Sequence, residues 1–107
     1  IFQDLNQQFS GQAGWIKELD RDMLFELGRA ASEYNIESDV GEVALDHYIE
    51  FYGFKDNYPI EWAYYYQSKI YDFNKQSKKM QSSLLKALEI NPNFEEAREL
   101  LNTVKLE

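Results

Sequence analysis

The chain contains no cysteine, which rules out disulfides, thiolate metal sites and a cysteine nucleophile at once. Proline is almost absent, occurring only at Pro59 and Pro92, each just ahead of a stretch with helical periodicity. A first helical turn tolerates proline because its missing N–H has no intrahelical partner there. β-branched residues are sparse, and no window alternates apolar and polar residues for long, so strands are not expected. No apolar run approaches the roughly 20 residues that a membrane span needs. Basic side chains are also in deficit, with 11 Lys and Arg against 19 Asp and Glu and a net charge of −8. Binding to duplex nucleic acid or to an anionic membrane surface relies on Lys and Arg, so neither partner is expected. The acidity suits a solvated surface that keeps the domain soluble, with attraction of a basic partner as the second reading. A glycine-rich phosphate loop is missing too, because Gly11 and Gly14 are followed by no Lys-Ser/Thr pair.

What is present is a small, aromatic-rich helical chain. The 107 residues make one domain or a piece of a larger protein, and Ile1 in place of an initiator Met leads us to expect a preceding segment. Apolar residues form 44% of the chain, enough for a core, and eight Tyr with seven Phe are an unusual load. Apolar spacing predicts helices over Asp20–Tyr34, Asp39–Tyr52, Pro59–Phe73, Gln76–Ile90 and Phe94–Val104. Asp20 reads as an N-cap, and Asp39-x-x-Glu42 and Asn93-x-x-Glu96 as capping boxes. Gly53 reads as a C-terminal residue able to take φ > 0. The first twenty residues place Ile1, Phe2, Leu5 and Phe9 on one helical face before Gly11 and Gly14 interrupt, and one or two short helices are expected there.

Two stretches look like the same helical hairpin. The sharper copy runs Tyr64-x-x-Gln67-Ser68-x-x-Tyr71, Met80-x-x-x-Leu84, then Ala87-Leu88-Glu89-Ile90-Asn91-Pro92. The other runs Leu24-x-x-Leu27-Gly28-x-x-Ala31, Ala44-x-x-x-Tyr48, then Pro59. Both resemble the tetratricopeptide repeat (TPR), whose pattern is W-x₂-L-G-x₂-Y, A-x₃-F and a closing Pro over about 34 residues. Ala31, Gln67, Met80 and Leu84 depart from that pattern, and the first copy is about six residues longer, with the excess in its connectors. The resemblance implies an all-α, right-handed superhelical stack of antiparallel hairpins. It divides the chain into residues 1–20, a helical segment or remnant of a preceding repeat, and a TPR-like domain over 21–104. Within the latter, repeat one is 21–58, repeat two 59–92 and a capping helix 93–104. Leu24, Leu27, Ala44, Tyr48, Met80, Leu84, Ala87 and Leu88 are expected to face the core, and Glu95, Glu96, Arg98, Glu99 and Lys105 to form a solvent-facing cap.

No arrangement of residues suggests catalysis. His47 is the lone histidine, Asp46 beside it points about a hundred degrees away on a helix, and no serine has a His partner at a suggestive spacing. Glu42, Asp46 and Glu50 fall along one helix face and read as a solvated acidic stripe rather than a cation site. Lys75, Lys78 and Lys79 read as a soluble helix start. Neither a metal nor another cofactor is expected.

The informative oddity is the helix from Ile60 to Phe73, which is aromatic on two sides. One side, with Ala63, Tyr64, Gln67, Ile70 and Tyr71, matches the packing face of the TPR pattern. The other carries Trp62, Tyr65, Lys69, Asp72 and Phe73, in positions that in TPR proteins usually point into the concave groove. With Phe25 and Arg29 from the first copy, the resemblance implies a partner groove of Phe25, Arg29, Trp62, Tyr65, Lys69 and Phe73. Aromatic and Arg side chains are the usual hot spots of interfaces. The carboxylate clamp of chaperone-binding TPR domains is not repeated, because its slots resemble Phe25, Arg29, Tyr66, Glu96 and Leu100; an acidic chaperone tail is a poor ligand. The expected function is a non-catalytic module binding a protein or peptide partner. The alternative is a structural, accessory helical domain of a larger protein, packing on its own chain or forming a homo-oligomer.

Overall fold

Each described helix lies beside the next in antiparallel pairs. In the computed structural model, residues 19–104 are described, so the expectations for the segment 1–18 and for Lys105 fall outside them. Five helices and no strand occur among these residues: α1 (Arg21–Tyr34), α2 (Ser38–Glu50), α3 (Ile60–Phe73), α4 (Ser77–Ile90) and α5 (Glu95–Leu101). α1 packs on α2 and α3 on α4; α3 also rests on α1 and α2, and α5 closes against α4. The all-helical reading therefore holds, and the pairing is compatible with stacked hairpins.

The helix ends show where local sequence decided and where tertiary context did. Asp20 caps α1 as expected, its carboxylate accepting from the Asp22 N–H at 3.3 Å. Neither capping box forms. α2 starts one residue early from Glu37 in the left-handed region (φ 46°), and α5 starts from Phe94, both without a side-chain cap. α5 is also shorter than expected, ending at Leu101 in turns closed by Thr103 N–H to Leu100 O and Val104 N–H to Leu101 O. Gly53 does not take positive φ; α2 stops at Glu50, and the Gly53 N–H donates instead to Asp56 Oδ2 at 2.9 Å. Lys75 takes the left-handed conformation instead (φ 59°), past the end of α3. The Gln76 N–H reaches Tyr71 O and the Lys75 N–H reaches Asp72 O, which together make a Schellman motif.

Two apolar clusters fill the interior. The first joins Leu24, Phe25, Ala44, Leu45 and Tyr48 of the first hairpin to Ala63 and Ile70 of α3. The second joins Tyr71, Met80, Leu84 and Ala87 to Phe94 and Ala97. Of the expected core residues, Leu27 and Leu88 are partly buried and the other six are buried. Gly28 marks the closest approach of α1 and α2, because a Cβ there would stand 2.1 Å from Leu45 Cγ. Ser68 holds the corresponding slot in the second copy and is fully buried, its hydroxyl donating to Tyr65 O at 2.5 Å.

The long connector between α2 and α3 is tied down by polar side chains. In an antiparallel hairpin the start of α1 lies beside the end of α2, where unpaired carbonyls collect. Arg21 meets them: its Nη2 donates to Tyr48 O at 2.6 Å, while Nε and Nη2 hold both oxygens of Asp56 at 3.0 and 2.9 Å. Asn57 Nδ2 donates to Asp22, and the Tyr48 hydroxyl donates to Tyr58 O at 2.6 Å and accepts from the Tyr58 N–H. These links deliver Tyr58 and Pro59 to the mouth of the groove described next.

Candidate partner-binding groove

α3 is buried on one side through Ala63, Gln67, Ser68, Ile70 and Tyr71, which leaves Trp62, Tyr65, Tyr66 and Lys69 half-buried on the other. The helix period explains the width of this second face. Trp62, Tyr65, Tyr66, Lys69 and Phe73 all lie within one broad stripe at 3.6 residues per turn. Trp62 packs against Tyr65, Tyr66 and Phe94, with ring centroids at 5.5, 5.8 and 4.6 Å. Tyr65 adds contacts to Tyr66 at 5.6 Å and Phe94 at 5.3 Å. Phe25 stacks flat on Tyr58 at 4.2 Å and meets Tyr66 edge-on at 5.6 Å. An unbroken chain of rings thus runs from the start of α1, across α3, to the start of α5.

Two open concavities lie along that chain. One, of about 280 Å³, sits between α1 and α3 and is bounded by Phe25, Arg29, Tyr58, Pro59, Trp62 and Tyr66. The other, of about 240 Å³, sits between α3 and α5 and is bounded by Tyr65, Glu96, Glu99, Leu100 and Thr103.

The six residues expected in the groove are placed unequally. Arg29 and Trp62 line the first concavity, Tyr65 the second, and Lys69 lies with its Nζ 5.7 Å above the Tyr65 ring. Phe25 is only 3% exposed and forms the floor rather than an accessible wall. Phe73 is 37% exposed near the end of α3 and bounds neither concavity. Tyr58, Pro59, Tyr66, Glu96 and Glu99 also line the two concavities and were not selected from the sequence, while Phe94 is buried beneath Trp62 and Tyr65. Tyr66 had a readable signal, because it stands four residues after Trp62 and hence on its face. Tyr58 had none, since its position depends on the Tyr48 hydroxyl across the connector.

The electrostatics of the groove are mixed. Arg29 Nε pairs with Glu26 Oε1 at 2.5 Å and Nη1 with Glu33 Oε2 at 3.2 Å, and these hydrogen bonds push its pKa further up. Burial raises the Tyr65 phenol, and Glu96 and Glu99 raise it further; burial and then Glu33 do the same for Tyr66. Both phenols therefore stay neutral donors at physiological pH.

A third, more polar notch lies between α2, α3 and α4 beside the acidic stripe, of which Asp46 and Glu50 are exposed and Glu42 is half-buried. Gln67 Nε2 donates to Asp46 Oδ1, and Gln67 Oε1 accepts from the Ser83 hydroxyl at 3.5 Å. Burial pushes the carboxyls of Asp46 and Glu42 up, with Lys79 across the notch opposing the shift in both. Gln67, which departs from the TPR pattern, is thus a polar bridge between three helices. Lys79 also leaves the simple role of a soluble helix start, its Nζ lying 5.8 Å over the Tyr71 ring. His47 rests against Phe51 at 4.8 Å between ring centroids.

No helix among the described residues is long and apolar enough to cross a membrane, and no group of three or more His, Asp or Glu there is arranged to hold a metal. Comparison with protein-family models, curated proteins and solved structures found no match for this chain.

Proposed function

We propose that this chain is a non-catalytic, TPR-like interaction module whose groove across α1, α3 and α5 holds an extended or helical segment of a protein partner. One observation carries the reading: a continuous run of aromatic rings, Trp62, Tyr65 and Tyr66, that pack on the edges of the two apolar clusters yet stay partly exposed. Tyr and Trp offer large contact area at small entropic cost, which is why they dominate interface hot spots. The repeat-like placement of Gly28 and Ser68 at two helix crossings supports the TPR-like part of the reading. Truncation of Tyr65 to Ala is expected to weaken partner binding by about 2 kcal/mol or more, with a smaller loss of folding stability. The measurement is affinity capture with the chain, followed by titration of the captured partner against both forms. Undiminished binding by the Tyr65→Ala variant would sink the groove.

A second reading draws on a different surface. Phe51, Tyr52 and Phe54 are exposed together after α2, Phe54 to 92%. Such a cluster suits a structural, accessory domain that packs on its own larger chain or on a second copy. Light scattering decides for the second copy, through a mass that rises with concentration and reverts in a Phe51→Ser, Phe54→Ser double variant.

A further inference from the structure

We infer that the segment held by the groove is cationic, a stretch of chain carrying Lys or Arg between apolar residues. This rests on the groove reading above and adds the chemistry of the partner. The partly exposed rings are those of Trp62, Tyr65 and Tyr66, whose faces attract cations as well as apolar groups. The rim carries Glu26 and Glu33 on α1, beside Tyr66, and Glu96 and Glu99 on α5, beside Tyr65. Four carboxylates face two cations, so the rim is net negative, in keeping with the −8 of the whole chain.

The two groove cations are already engaged and show which chemistry the surface takes. Arg29 is held by Glu26 and Glu33, and Lys69 lies over the face of Tyr65. Glu96 and Glu99 differ, for neither has an ion pair among the described residues. They stand at the edge of the concavity whose wall is Leu100 and the Tyr65 ring. An incoming Lys or Arg fits there by laying its methylene stem on Leu100 and Tyr65 and turning its head to the carboxylates. The adjoining concavity of Phe25, Tyr58, Pro59, Trp62 and Tyr66, whose one cation, Arg29, is paired with Glu26 and Glu33, suits an apolar neighbour in the same segment. Charge disfavours the other occupants. A second copy brings another −8, and residues 1–18 carry Lys17 against Asp4 and Glu18.

The test is fluorescence anisotropy with the whole chain and three labelled peptides, one alternating Lys and Leu, one Gln and Leu, one Glu and Leu. The Lys peptide is expected to bind at least about tenfold more tightly than the Gln peptide, and the Glu peptide not at all. Glu96→Gln with Glu99→Gln should remove about tenfold of the Lys-peptide affinity and leave the Gln peptide unmoved; both changes are on exposed positions, so folding is kept. Tyr65→Ala should weaken both. Equal binding of the Lys and Gln peptides, each lost in Tyr65→Ala, would overturn the cationic inference and leave the groove standing. Lys-peptide binding that ignores the Glu96/Glu99 changes would reduce the effect to diffuse attraction and overturn it as well. No sensitivity to Tyr65→Ala in any arm would remove the groove and this inference together. A doubled mass of the peptide-free chain, abolished by Tyr65→Ala, would make a second copy the occupant.

Discussion

The first and second hairpins meet the same packing demand with different chemistry. α1 and α2 cross so closely that only Gly28 fits under Leu45, and the connector that follows is held by Arg21, Asp22 and Tyr48. In α3 and α4 Ser68 and Ala87 are fully buried, and the exit to α5 runs through the Asn91-Pro92 turn, where the Asn93 N–H donates to Asn91 Oδ1 at 3.2 Å. The first hairpin thus pins its connector with an ion pair and the Tyr48 hydroxyl, while the second keeps its polar groups, Gln67, Ser68 and Ser83, buried within the helix pair. The groove draws on both, since its central helix is shared. Damage to either hairpin should reach the groove by a separate route, through the connector in the first and through the buried helix pair in the second.

The crossings test this contrast most strongly. Gly28→Leu is expected to cost about 3 kcal/mol or more, because the new side chain must displace Leu45, itself fully buried. Ala87→Leu in the second hairpin should cost about 1–3 kcal/mol, since it overpacks a fully buried site that already accommodates a Cβ. Urea denaturation of both variants settles the ranking, and equal losses would remove the distinction between the two crossings.

The connector is the next target. Asp56→Asn breaks the paired hydrogen bonds from Arg21 and should cost about 1 kcal/mol, a modest figure because Arg21 is partly exposed. Hydrogen bonds from Arg21 and the Gly53 N–H, together with the charge of Arg21, hold the Asp56 carboxyl below its usual range. Its contribution is therefore present above the unfolded carboxylate range and is lost as pH falls through the lowered folded value. Thermal melts from pH 7 downward should lose less in the variant than in the parent; parallel curves would show that the bridge contributes nothing.

Lys75 supplies a smaller effect of the opposite sign. A non-glycine residue at φ 59° carries a steric penalty, so Lys75→Gly should stabilise by about 0.5–1 kcal/mol. Destabilisation on denaturant titration would mean that the Lys75 side chain has a partner worth more than the strain.

Asp46 gives the finest discrimination. Its folded pKa is raised, so the folded state binds a proton more readily than the unfolded one, and stability falls as pH rises through the raised value. Asp46→Asn keeps an acceptor for Gln67 and should gain at most a few tenths of a kcal/mol at neutral pH, because Asp46 is exposed and its charge is screened by solvent. The gain should shrink at lower pH, the reverse of the Asp56 pattern. Calorimetry at two pH values would read it, and a loss at neutral pH would show that the charge on Asp46 is itself required.

Helix existence was legible in the sequence because apolar spacing at Leu24, Leu27, Met80, Leu84 and Ala87 survives any detail of packing. The ends were less so. Gly53 advertised a left-handed cap that it does not form, while Asn35, Glu37 and Lys75 adopt positive φ without a glycine to announce it. Those conformations come from the neighbouring helices, which outweigh local preference. For the groove, Trp62 and Tyr65 were readable from the stripe on α3. The burial of Phe25 was not, because its stacking partner Tyr58 arrives from a connector over thirty residues away along the chain. The pairing of Arg29 with Glu26 and Glu33 was present as i, i+3 and i, i+4 spacing, and turns an apparently free groove cation into a neutralised one.

The order in which the helices meet has a kinetic consequence. Apart from the contacts of α3 with α1, each helix finds its main partner in the next one along the chain. Among the described residues loop closure is therefore short and the entropic barrier to native contact low, so fast folding is expected. Neighbouring pairs of this kind can also open separately, well below the cost of global unfolding. The aromatic surface across α1, α3 and α5 exists only while both pairs are docked. A ligand held there would draw their two openings into one, so that occupancy would appear in hydrogen exchange as a change in cooperativity, reaching amides it never touches.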